Sequence, residues 1–284
     1  MIKARQNVRE KPKGALLALP AALWLGLFFL LPLIFVLVAS FMTRGQGGSP
    51  VMPWTLENYQ RTFGPFGVVL WRSLGVALWT TFWCLLLGYP LAFFISTRRS
   101  GRTKQLLLFF ILLPFWTNFL VRTYALQTII GKEGFLNSAL QAIGLISEPL
   151  SIIYTPFAVI LGLIYGYLPF MVLPIYASVD RLDFHYVEAA NDLGANDWNS
   201  FWRIIFPLTL PGVVAGCMLV FIPAIGSFVT PDLLGGTQGT MIGNLVQRQF
   251  GGRGNIPLGS AISIVMMMMV LIGVIIYLRF GDEE

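Results

Sequence analysis

Covalent chemistry in this chain would have to start from its histidine, its cysteines or a pair of carboxylates, and all three are sparse. The single histidine, His185, lies in a polar stretch between two apolar runs, while Cys84 and Cys217 each fall inside an apolar run. Two cysteines so placed read as small hydrophobes, with neither a disulfide framework nor a zinc site indicated. No carboxylate pair falls within an apolar run, and no G-x-x-x-x-G-K-[ST] or dinucleotide glycine pattern occurs. Gly235-Gly236 and Gly251-Gly252 lack the following lysine and helix that cradling a phosphate needs. The residues therefore supply no catalytic set, no metal site and no cofactor site, which disfavours a membrane protease or lipid-modifying enzyme.

What the chain does offer is non-covalent recognition. Pro114–Asn118 reads PFWTN and Tyr165–Pro169 reads YGYLP. Counted from polar boundaries near Gln105 and Tyr154, at about 1.5 Å per residue, both segments lie roughly 14–20 Å deep, near a bilayer centre. Helices broken at that depth are tolerated where they line a cavity. Trp116, Asn118, Tyr165 and Tyr167 together suit an amine or other cation, through ring faces and an amide. The alternative is that the aromatics are packing and that Pro114 and Pro169 are tolerated kinks. Asp232, in Thr230-Pro231-Asp232 directly after a span, would attract a cation at an outer mouth; its alternative is an ordinary solvated carboxylate.

The elements that must position these residues are membrane helices. Of 284 residues, 56% are hydrophobic and only 11% charged, and the mean hydropathy is +0.74, more apolar than a soluble core of this size requires. The chain is read as all-α and integral to a membrane. A basic arm over Met1–Gly14 precedes a first transmembrane helix over 15–43, too long for a cleaved signal core. Further spans are expected near 67–96, 105–128, 154–179, 208–228 and 257–278, giving six in all. Arg72 is expected to snorkel to the interface, and 44–66, 129–153 and 229–256 to be outer loops.

Charge orients the set. Alternation from a cytoplasmic start puts 12 of the 19 Lys and Arg residues on the side of both termini and the stretch 180–207, the sign the positive-inside rule requires. The net charge of +6 comes from short clusters beside apolar runs, so it points to topology and the lipid bilayer rather than nucleic acid.

Between the fourth and fifth spans, Asp183–Pro211 is the most charged and amphipathic segment. Asp183 is expected to cap a helix that ends at Gly194. Asn196 or Asp197 should cap a second helix, with Trp198, Phe201, Trp202 and Ile205 on one face, until Pro207 stops it. Glu188-Ala189-Ala190, Gly194, Ile204, Phe206 and Pro207 resemble the EAA loop of ABC-importer permeases, whose pattern is E-A-A-x3-G-x9-I-x-L-P. Phe206 departs from the usual Leu. More widely, Leu112–Leu126, Tyr154–Asp183 and Ile242–Phe250 are similar to spermidine/putrescine importer permeases of the B/H type.

That resemblance implies a type I ABC importer permease (MetI-like) fold over 67–279, with the cytoplasmic EAA loop at 183–211. It also implies a bacterial inner-membrane location and a non-catalytic subunit. The implied partners are a second homologous permease, two cytoplasmic ATPase subunits that use the ATP, and a periplasmic polyamine-binding protein. Glu188, Ala189, Ala190, Gly194, Trp198 and Phe201 are the implied ATPase-coupling residues. The same machine for ferric ion, sulfate or molybdate is the alternative; a membrane enzyme or assembly factor that borrowed the loop is a further one.

Overall fold

The computed structural model describes residues 13–252 and 254–281, with side chains described within 19–275. Most of the basic arm, Arg253 and the side chain of Arg279 lie outside the described residues. Runs of apolar helix formers produce five helices long and apolar enough to cross a membrane: Leu19–Ser40, Gly67–Ser96, Pro156–Asp180, Asp197–Gly226 and Ile256–Ile275. The sixth expected span is a bent pair, Gly101–Trp116 and Phe119–Ala142, with 94° between its halves.

In chain order, α1 (Lys13–Leu25) passes through a wide π turn at Gly26–Leu30 into α2 (Leu31–Ser40). Strands β1 (Met42–Arg44) and β2 (Pro50–Trp54) pair antiparallel. Helix α3 (Glu57–Phe63) leads to α4 (Gly67–Ser96), and α5 (Gly101–Leu112) to α6 (Phe119–Ile130), α7 (Phe135–Ala142) and α8 (Pro156–Asp180). Then come α9 (His185–Asp192), α10 (Asp197–Ser200), α11 (Phe206–Gly226), α12 (Val229–Leu234), α13 (Ile242–Phe250) and α14 (Ile256–Gly281).

The core lies where α4, α8 and α11 meet. Cys84, Ala92, Ile95, Met171, Val172, Ile175, Val179 and Val220 are buried there with Tyr89. Cys84 thus packs as a small hydrophobe. A second cluster joins α4 and α11 to α13 and α14 through Ala77, Ile225, Ile242 and Ile262. Helix α2 packs on α14, yet the first span has almost no buried face, since Leu23, Trp24, Phe28, Phe29 and Ile34 are all more than half exposed. A helix that is apolar all round and covers so little protein is suited to lipid.

Three expectations are corrected. The 229–256 stretch is not a loop: Thr230, Pro231 and Leu234 of α12 are buried, packed on α6 and α8. Gly162 makes room for this, because a Cβ there would stand 2.5 Å from Leu234 Cδ1 and 2.7 Å from Thr230 Cγ2. Arg72 does more than reach water. Its Nη1 donates to the Gln238 carbonyl at 2.6 Å, pinning the glycine-rich turn to the start of α4. Pro169 does not break the fourth span, since α8 runs unbroken through both Pro169 and Pro174. Close neighbouring helices hold a transmembrane helix together across a missing N–H.

Candidate functional site

Within 183–211, the first helix begins one residue later than its capping pattern suggests. The Asp183 carboxylate accepts the His185 N–H at 3.0 Å, and Phe184 occupies the cap position. Helix α9 then closes in a complete Schellman motif: the Gly194 N–H reaches the Asn191 carbonyl at 2.9 Å and the Ala195 N–H reaches that of Ala190 at 3.0 Å. Gly194 has φ +88°, the left-handed conformation this motif needs. Nothing lies within 4 Å of a Cβ placed there, so the demand for glycine comes from the backbone, not from crowding.

The reversal is held on both sides. Asn196 caps α10 by accepting the Asn199 N–H at 2.8 Å, and Ser200 Oγ donates to Asn191 Oδ1 at 2.8 Å. A notch of about 310 Å³ forms between the helices, lined by Ala190, Leu193, Gly194, Asn199, Arg203 and Ile204 among others. Around it Leu193 is 90% exposed, and Tyr186, Trp198 and Trp202 also stand out. Glu188 and Ala189 are on the open side. Glu188 Oε2 lies 2.9 Å from His185 Nδ1. That hydrogen bond, with the charges of Asp183 and Glu188, raises the His185 pKa above its usual 6.5.

Phe201, placed by its spacing on the docking face, points the other way. Its ring meets Tyr89 at 5.6 Å and Phe93 at 6.4 Å. It anchors the segment to α4, where the Tyr89 hydroxyl also bonds Thr209 at 2.9 Å. Pro207, expected to stop the helix, does not. A π turn over Phe201–Ile205 precedes it, and the Phe206 N–H bonds five residues back to the Phe201 carbonyl. The wide turn takes up the missing N–H and the ring of Pro207, so α10 runs on into α11. The same device precedes Pro32, where the Leu31 N–H reaches the Gly26 carbonyl.

The second feature is the break in the third span. Helix α5 tightens into a 3₁₀ turn at Leu113–Trp116, Thr117 is extended, and α6 starts afresh with Asn118 accepting the Leu120 N–H at 2.8 Å. The Asn118 amide oxygen thus serves as a helix cap. Next to the break is an open pocket of about 360 Å³ lined by Phe115, Thr117, Phe119, Arg122, Gly166, Tyr167 and Phe170. Phe115 packs edge-on to Phe170 at 5.0 Å.

Of the expected path residues, Tyr167 lines the pocket and sends its hydroxyl toward the Pro223 carbonyl at 3.4 Å. Tyr165 touches it through Arg122, whose guanidinium carbon is 5.6 Å from the ring. Trp116 does not line it; it is 84% exposed beside Phe109 at 6.4 Å. Asp232 is in the first turn of α12, 3.7 Å from Arg248, so its charge is already partly answered. The pocket's one charged residue, Arg122, was counted in the sequence only toward topology. Its signal was plain: an arginine inside an apolar run is costly and marks function by default.

A set of membrane-length helices, one of which extends into an exposed charged hairpin while another breaks beside a pocket, defines the membrane-embedded part of a transporter. Residues 85–282 match the family of binding-protein-dependent transport system inner membrane components, and the chain belongs to that family. Over 257 residues it is 44% identical to the spermidine/putrescine transport system permease protein PotB of Haemophilus influenzae, covering 90% of each chain. Its fold is that of a bacterial ABC transporter involved in the import of the acidic polysaccharide alginate. The TM-score is 0.73, with 95% of this chain and 96% of that chain covered. The same alginate transporter, in complex with an alginate pentasaccharide-bound periplasmic protein, aligns with a TM-score of 0.71 over 95% of each chain. Sequence identity to both structures is 18%, so they speak to fold alone.

Proposed function

We propose that this permease carries polyamines, spermidine or putrescine, across the bacterial inner membrane. It would do so beside a second, homologous permease, with two cytoplasmic ATPase subunits and a periplasmic polyamine-binding protein. The observation that carries the reading is the 44% identity over 90% of the chain to a spermidine/putrescine permease. The exposed notch lined by Leu193, and the exposed Tyr186 and Trp198 of the same segment, support a helix-in-groove contact with an ATPase. In it Glu188, Ala189, Ala190 and Gly194 set the shape, and Phe201 ties it to the core. Both termini and the coupling loop are cytoplasmic in this arrangement. Trp116, Asn118, Tyr165, Tyr167 and Asp232 lie along the solute's route, with Trp116 completing a wall that the second permease faces.

One observation favours a different solute: the pocket's only charge is positive, as sulfate or molybdate would need. ATP-dependent uptake of labelled spermidine, putrescine and sulfate into proteoliposomes holding the full complex decides between them. Amine uptake without sulfate uptake is expected. Sulfate uptake without amine uptake overturns the reading.

A further inference from the structure

The pocket at the break already holds a cation. The Arg122 guanidinium carbon lies 5.1 Å from the Phe115 ring centroid, 5.5 Å from that of Phe119 and 5.6 Å from that of Tyr165. Its Nη1 donates to the Pro114 carbonyl at 3.2 Å. Ring faces and a carbonyl at a helix break, which here also accepts the Thr117 N–H at 3.3 Å, are the groups that an alkylammonium would seek. Arg122 is only 8% exposed, and among the described residues no carboxylate forms an ion pair with it. A guanidinium cannot lose its proton in a protein, so this positive charge is permanent.

The arrangement can also release the arginine. Thr117 Oγ1 donates to the same Pro114 carbonyl at 2.7 Å, so that oxygen keeps a donor when Arg122 leaves. The pocket is open and roomy enough, at about 360 Å³, to receive a chain of methylenes between charged ends.

We propose that Arg122 is a tethered stand-in for the substrate's ammonium: it fills the aromatic cage while the cage is empty, is displaced by a passing amine, and discriminates among amines by their charge. This rests on the polyamine reading. Repulsion from a fixed charge grows with the number of ammonium groups brought near it, so Arg122 should slow a trivalent amine more than a divalent one. A residue that merely braced the break would affect both alike.

The test is the ratio of initial uptake rates for spermidine, a trication, and putrescine, a dication, in proteoliposomes containing the whole complex. Arg122→Gln is expected to raise that ratio by about fivefold or more, while Arg122→Lys keeps it within about twofold of the unmodified protein. If Arg122→Gln does not assemble, Arg122→Cys carries the test after reconstitution. Modification with an aminoethyl methanethiosulfonate restores one positive charge and the low ratio; a methyl reagent leaves the ratio high. An unmoved ratio in the neutral variant, or a Lys variant that behaves like Gln, overturns the proposal while amine transport stands. If the unmodified complex moves no amine, the polyamine reading falls and this inference with it.

Discussion

Gly194 and His185 show how much of the coupling segment depends on single residues. With no neighbour within 4 Å of a Gly194 Cβ, a side chain there costs only the left-handed backbone, about 1–2 kcal/mol for most residues and less for Asn. Uptake by the complex should therefore fall in the order Gly, Asn, Ala, Val, with Gly194→Asp failing through its added charge at the docking face although the protein still reaches the membrane. Val transporting as well as Asn would show that the φ of +88° is not what matters. His185 has a pH signature. Its raised folded pKa means that protonation favours the folded segment below about 6.5, an advantage lost as pH rises through the raised value. Glu188→Gln should lower the pKa read from the His185 ring by NMR, narrowing that window, and an unchanged pKa would refute the pairing. Residues such as Gly194 and Asn196 were legible because local chain geometry alone dictates glycine after a helix and an amide before one. Phe201 was not, because the rings it meets belong to α4, distant in sequence; Arg122 was legible as a charge in an apolar run, but the Tyr165 ring beside it comes from another helix.

At the scale of elements, the π turn over Phe201–Ile205 decides what the hairpin is mechanically. Because α10 continues through Phe201–Ile205 into α11, the exposed hairpin is the tip of a membrane span, and the proposed docking surface would move with it. The sequence suggested a stop at Pro207, since proline ordinarily ends a helix; it could not show that one extra residue per turn absorbs the fault. Pro207→Ala removes the reason for the wide turn. Relaxation to an ordinary α-turn would rotate α10 by about 100° relative to α11, turning Trp198 and the notch away from their partner. The expected result is a complex that assembles and retains basal ATP hydrolysis but loses most of its amine-stimulated hydrolysis and uptake. Full stimulation in that variant would mean the π turn is incidental. The broken third span belongs to the same scale. PFWTN announced the break, but the 94° bend follows from where α12 and α8 allow α6 to lie.

Across the whole molecule, five of the six expected spans were readable as straight helices because hydrophobicity and length are properties of contiguous sequence, whereas the layer built from 229–256 was not. Helices α12 and α13 grow from a glycine-rich stretch and owe their places to contacts with α6, α8 and α14. The same limit bears on the proposed route through the membrane, which in the proposed pairing with a second permease one chain would enclose on one side only. Trp116 is the largest sign of that. An indole 84% exposed at a break in a span, pointing away from its own pocket, faces either lipid or another protein. The 12-to-7 division of basic residues supports the proposed orientation needed to tell which. Maleimide labelling of a cysteine at 197 from the cytoplasmic side should succeed, and labelling only from the outside would invert the topology. With that orientation, a benzophenone amino acid at 116 should cross-link to the second permease in the assembled complex, and Trp116→Leu should reduce amine uptake more than Asp232→Asn does. Trp116 is exposed beside Phe109 at 6.4 Å, while the Asp232 carboxylate is exposed and already paired with Arg248 at 3.7 Å, an arrangement of little energetic weight. Cross-links to lipid alone, together with unchanged uptake in Trp116→Leu, would take Trp116 off the solute's route and confine that route to the Arg122 side of the break.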